Sequence, residues 1–177
     1  MPSGKHITLL VLIIVLGLSL VTGCKGDQSK PTEKKSPENS SIEEGVEMAE
    51  EILADVLMVE VSGSPNAYQF SVQVASPDTG CEQYADWWEV LSEDGQLLYR
   101  RILLHSHVNE QPFVRSGGPV NIDADTVVLV RAHMNKTGYS GKTMKGSVQS
   151  GFNEVILSPG FGADAETRPP FPEGCDF

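Results

Sequence analysis

Three kinds of hydrophobic patterning follow one another along the chain. From Ile7 to Val21 the residues are almost continuously apolar, from Lys25 to Ser41 no apolar side chain carries the pattern, and from Asp55 onward apolar and polar residues alternate in short runs. The first run covers about 15 residues, short of the ~20 that a permanent spanning helix needs. Lys5 and His6 precede it and the small residues Thr22 and Gly23 follow, so residues 1–23 read as a secretory signal, with a spanning anchor as the alternative. The polar stretch has nothing to bury and predicts a disordered leash over 24–41, spanning about 20–25 Å root-mean-square. Ser41-Ile42-Glu43-Glu44 then matches a capping box and predicts one short helix over 42–53, weakened by Gly45.

After Asp55 the period is two. Leu57, Val59 and Val61 alternate with Met58 and Glu60, and after the turn at Gly63-Ser64-Pro65-Asn66 come Tyr68, Phe70, Val72 and Val74, the cleanest strand pattern in the chain. A third strand spans 86–91 with Trp87, Trp88 and Val90, and Asp94-Gly95 marks a hairpin. The fourth covers 97–108, with Leu98, Ile102, Leu104 and Val108 on one side and Tyr99, Arg101, Leu103, His105 and His107 on the other. Residues 109–118 read as a long polar loop, followed by a short fifth strand at 120–122. The sixth, 126–134, turns Val128, Val130, Ala132 and Met134 to a core and Val127, Leu129, Arg131 and His133 away from it; 143–148 and 154–157 complete the set. Seven to eight short strands at spacings near ten residues, with no helix between them, predict an all-β antiparallel sandwich over 55–158. Residues 159–177, rich in Pro and Gly, should lie on the surface as coil.

Leu20-Val21-Thr22-Gly23-Cys24 resembles the lipobox of bacterial lipoproteins. The resemblance implies that Cys24 becomes the first mature residue and carries acyl chains such as palmitate, and so tethers the protein to the membrane of the cell envelope. Each buried methylene contributes about 0.8 kcal/mol and stable anchoring takes more than one chain. Lys25, where Asp would hold a lipoprotein at the inner membrane, implies the outer membrane in a Gram-negative host. A weaker resemblance lies in Val120 to Ile122, Thr126 to Ala132 and Gly138-Tyr139-Ser140-Gly141, which together are similar to the second half of fibronectin type III or immunoglobulin-like domains. It implies a topology and no chemistry.

Charge and cysteines narrow the picture further. The chain has 13 basic and 24 acidic residues. Residues 1–23 hold only Lys5, so the remainder balances 12 basic against 24 acidic residues, a net charge of −12. That repels phosphates and argues against nucleic acid as a partner. Of the three cysteines, lipid on Cys24 would leave Cys81 and Cys175 as a pair. In an exported protein a disulfide is the default, two free or metal-bound thiols being the alternative.

Two constellations could carry chemistry. His105 and His107, at i and i+2 of a strand, would face one way and could share a metal such as Zn or Cu, with His133, Glu89 or Cys81 as a further ligand. The alternative is that these histidines hydrogen-bond locally at a strand end. Trp87 and Trp88 point to opposite faces of their strand, so one would fill the core. The other could form a contact surface with Tyr99, Arg101, Phe113 and Arg115, or lie covered by the Pro-rich tail. No Gly-x-Ser-x-Gly turn, phosphate-cradling loop or convergent acid pair is present, so a non-catalytic role without cofactor is expected. The expected partners are the membrane, through the lipid, and a protein, glycan or other envelope component. A metal-handling domain built on His105, His107 and His133 is the alternative.

Overall fold

In a computed structural model of the chain, residues 52–176 are described. The expected signal, leash, Cys24 and nearly all of the expected helix lie outside them. Eight strands form: β1 Asp55–Ser62, β2 Tyr68–Ala75, β3 Ala85–Ser92, β4 Leu97–Ile102, β5 Phe113–Val120, β6 Val128–Met134, β7 Thr143–Ser147 and β8 Gly151–Val155. A four-residue helix, α1 Ala163–Glu166, lies in the C-terminal segment. All pairings are antiparallel, in a three-stranded sheet ordered β1-β2-β5 and a five-stranded sheet ordered β4-β3-β6-β7-β8. The expected antiparallel β-sandwich is the architecture.

The core lies between the sheets. β2 contributes Tyr68, Phe70, Val72 and Val74, all buried, while Gln69 between them is exposed. The facing sheet contributes Trp88 and Val90 from β3 and Val128, Val130, Ala132 and Met134 from β6. Alternation on both inner faces leaves water no place in this layer. Burying each large aliphatic or aromatic side chain contributes ~1.5–3 kcal/mol.

Three expectations about the strands are corrected. The fourth strand ends at Ile102 rather than near Val108, and the side that carries Tyr99 and Leu103 is the one that faces the core. A register shift between Val90 and Leu91 re-aims the hairpin. Tyr99 and Leu103 pack inward, and Leu98, Leu104 and Val108 are exposed. The stretch read as a loop over 109–118 contains most of β5, which pairs with β2 from Val74↔Phe113 to Tyr68↔Val120. Its run Ser116-Gly117-Gly118-Pro119 conceals a strand because Pro is admitted on an edge, where its missing N–H faces away from a ladder. Gly117 is required by close approach: a Cβ there would lie 2.7 Å from the Tyr99 hydroxyl and 3.1 Å from Trp88.

The C-terminal segment is more than coil. From Ser158 it crosses the outer face of the larger sheet, forms α1, and ends at a Cys81–Cys175 disulfide that joins residues 94 apart. As a result every residue of β3 from Ala85 to Leu91 is buried. Gly95 lets the strap pass close: its φ is +81°, and a Cβ would stand 2.9 Å from Gly162.

Candidate functional site

Beneath the strap the outer face of the larger sheet carries charge. Glu89 of β3 pairs directly with Arg100 of β4 and with Arg131 of β6 in the strand register. All three are buried, Glu89 completely. Arg100 donates from Nε and Nη2 to Glu89 Oε2 at 2.9 and 2.6 Å, and Arg131 donates from Nε to Oε1 at 2.8 Å. Further guanidinium hydrogens reach the strap. Arg100 donates to the carbonyls of Ala165, Arg168 and Pro170 at 2.7, 2.7 and 3.1 Å, and Arg131 to those of Phe161 and Gly162 at 2.7 and 2.9 Å. Two cations around one carboxylate leave an excess positive charge, and five main-chain dipoles solvate it in place of water.

Aromatic rings extend this layer. Trp87 stacks on His133 with centroids 3.7 Å apart and planes 7° apart, and the Arg100 guanidinium lies 4.4 Å from the Trp87 ring centroid. Trp87 Nε1 donates to the Tyr139 hydroxyl at 2.9 Å, and Arg131 covers the Tyr139 ring at 3.5 Å. Burial, with the Glu89 carboxylate nearby, pushes the Tyr139 phenol well above its ordinary value, so it stays a neutral hydroxyl. His133 Nδ1 meets Asp86 Oδ1 at 2.6 Å, and its Nε2 lies 3.8 Å from Glu166 of the strap. Ala165 and Phe161 of the strap close the layer against Leu91 and Leu129.

An open groove of about 870 Å3 runs alongside, between the strap and the β6–β7 connection. Arg131, His133 and Tyr139 contribute to its lining, with Lys142, Glu154 and Glu166 among the others. The volume is that of small-molecule and short-segment sites.

A second polar cluster ties the loops at the other end of β3. Asp78 accepts from Ser76 Oγ at 2.7 Å, from the Ala85 N–H at 3.0 Å and from the His107 N–H at 2.8 Å. His107 is 3% exposed and stacks on Phe113 at 3.7 Å. Neither of its ring nitrogens has a hydrogen-bond partner. Desolvation, helped by the cations of Arg115 and His105, lowers its pKa from 6.5 to about 4.

The histidines are thus divided. His105 and His107 lie beyond the end of β4, with ring centroids 4.6 Å apart, the first exposed and the second buried. His133 sits under the strap, with Trp87 and Tyr139 as its ring neighbours. Glu89 lies between two arginines, and Cys81 is in the disulfide. Among the described residues no group of three or more His, Cys, Asp or Glu side chains is arranged to hold a metal. The suggested contact surface is dispersed as well. Trp87 is buried between His133 and the Arg100 guanidinium, Tyr99 packs at 5.7 Å on Trp88 in the core, and Arg101 is exposed. Phe113 is buried against His107, and Arg115 reaches over it to Glu110.

What sequence reasoning missed is the charged layer. A polar residue in mid-strand at Glu89, beside outward-facing Arg131, was a legible signal. The strap's carbonyls were not, because main-chain acceptors leave no mark in a sequence.

A protein of Halomicrobium mukohataei named "Putative lipoprotein" is 35% identical over 111 residues, covering 63% of this chain and 54% of that protein. The chain thus spans about half the length of the curated relative it matches. No family model matches the chain, and no solved structure does.

Proposed function

We propose that this is an exported, lipid-anchored β-sandwich protein that works at the cell envelope by binding and not by catalysis. The observation that carries the reading is the Cys81–Cys175 bridge. A bridge of this kind belongs to an oxidising compartment, and it leaves Cys24, at the end of the apolar run, outside the pair. The similarity to a protein named as a lipoprotein supports the same anchor.

The groove beside the strap is the surface offered to a partner. One wall is Arg131, which Glu89 holds in place together with Arg100. The carboxylates that line the groove are also engaged: Asp55 accepts from the Lys142 N–H, Glu154 lies 3.3 Å from Lys142 Nζ, and Glu166 lies 3.8 Å from His133 Nε2. A general base must be free to take a proton, and these are already partnered. That favours recognition over proton transfer.

Labelling of growing cells with a fatty-acid precursor, followed by fractionation, tests the anchor. Label should follow the protein into the membrane fraction, and Cys24→Ala should lose the label and release the protein. Retention of Cys24→Ala on the membrane would refute the lipid anchor in favour of a spanning segment.

A further inference from the structure

We propose that the strap over residues 158–176 is a redox-keyed cover, and that reduction of Cys81–Cys175 lets it swing away from the sheet about its Ile156–Gly160 end. The chemistry is thiol–disulfide exchange with a dithiol. One reductant thiolate attacks a sulfur of the bridge and the other resolves the mixed disulfide. The Cys81–Cys175 bond breaks, two thiols form on the protein, and the dithiol becomes the oxidised disulfide. Both cysteines are only half-buried, so a reductant has access.

Four observations carry the proposal. The strap's grip is polar and local: five carbonyl acceptors for two arginines, and among its side chains from Ser158 to Pro170 only Ala165 is fully buried. Its entry is loose, since Ile156 is 97% exposed and Ser158, Pro159 and Gly160 are exposed behind it. Beyond Pro170, the hydrogen bond from the Asp176 N–H to the Leu104 carbonyl at 2.7 Å accompanies the disulfide at the far end. Finally, most of the face beneath, apart from Leu91 and Leu129, is one that water accepts. Trp87, Glu89, Arg100, Arg131 and His133 are charged or amphipathic, and hydration of the guanidiniums replaces the lost carbonyls. A strap over a wholly apolar face would be held by the hydrophobic effect; this one has one small apolar contact, Ala165 and Phe161 on Leu91 and Leu129, and otherwise holds by bonds that water can imitate.

Opening would remove the strap wall of the groove, which includes Phe161 and Glu166. That consequence rests on the groove being the working surface, but the opening itself is read without any ligand.

Hydrogen exchange followed by mass spectrometry, on the detergent-solubilised full-length protein with and without a dithiol, is the test. Reduction should speed exchange in 158–170 by about tenfold or more while β2 and β6 keep their protection. Cys175→Ser should behave without reductant as the reduced protein does. If faster exchange stays confined to 171–176, the arginines alone hold the strap and the proposal fails. Loss of protection across β2 and β6 would also overturn it, because the bridge would then be holding the whole fold.

Discussion

His107 makes the stability of the domain depend on pH in a direction the structure dictates. In the fold its ring is stacked on Phe113 and closed off from water, and neither ring nitrogen is hydrogen-bonded, the Asp78 carboxylate standing 3.9 Å from Nδ1. Its pKa is lowered from 6.5 to about 4, desolvation being the largest cause, with Arg115 and His105 adding to it and Asp78 and Glu110 opposing. Between these values the unfolded chain binds a proton that the folded chain refuses. Stability from this group is therefore complete above pH 6.5 and is lost as pH falls toward about 4. At ~1.36 kcal/mol per tenfold change in proton affinity, the displacement from 6.5 to about 4 amounts to about 3 kcal/mol when the loss is complete, most of it by about pH 4.5. The assay is urea unfolding at about pH 7.5 and about pH 4.5, with chelator present, for the wild type and His107→Gln. Carboxylates common to both proteins cancel in the comparison. The variant should be less stable at the higher pH, because its amide stacks less well on Phe113, but should lose about 2–3 kcal/mol less on acidification. An equal loss in both proteins would refute the argument and leave His107 a ring whose proton the fold tolerates.

Other consequences can be checked with equally direct measurements. Glu89→Gln leaves Arg100 and Arg131 buried without their counter-charge and should cost about 3–5 kcal/mol in chemical denaturation; a loss under ~1 kcal/mol would mean that the strap carbonyls suffice. Gly117→Ala pushes a methyl group against Tyr99 and Trp88 and should destabilise by about 1–3 kcal/mol without altering the anchor, read as a lowered unfolding midpoint at unchanged m-value. Protein purified without a histidine tag should hold well under one equivalent of Zn or Cu, since His133 lies apart from the His105–His107 pair. A stoichiometric metal lost in His105→Ala would reverse that expectation.

The legible and the illegible parts of this fold differ for physical reasons. β2 and β6 are readable because each has one face on the core, so Phe70, Val72 and Val74, or Val128, Val130 and Ala132, recur at every second position. β3 breaks the rule because both its faces are covered; Trp87 and Glu89 look like surface residues only until the strap is known. β5 is hidden by Gly117, Gly118 and Pro119, which read as a turn and are tolerated because the strand is an edge. β4 pairs with β3 through one irregularity near Val90 that no sequence period records. The disulfide partners were legible from cysteine number and compartment. The charged layer was half legible: Glu89 and Arg131 fall on outward positions of strands that turn out to be neighbours. Arg100, however, is the arginine that faces Glu89, while Arg101 beside it is exposed, and the strand period alone does not tell the two apart.

Burying charge under a late segment also bears on how the molecule is made. The partner of Cys81 lies 94 residues further on, and the carbonyls that cover Arg100 and Arg131 come from Phe161 to Pro170. While the chain emerges, the outer face of the larger sheet must wait uncovered. An apolar face in that interval would look for another chain, since exposed hydrophobic surface is what makes incomplete folds aggregate. Glu89, its two arginines and His133 instead keep that face hydrated until the strap arrives. The same side chains thus serve the unfinished protein as a solubility device and the finished one as a lock.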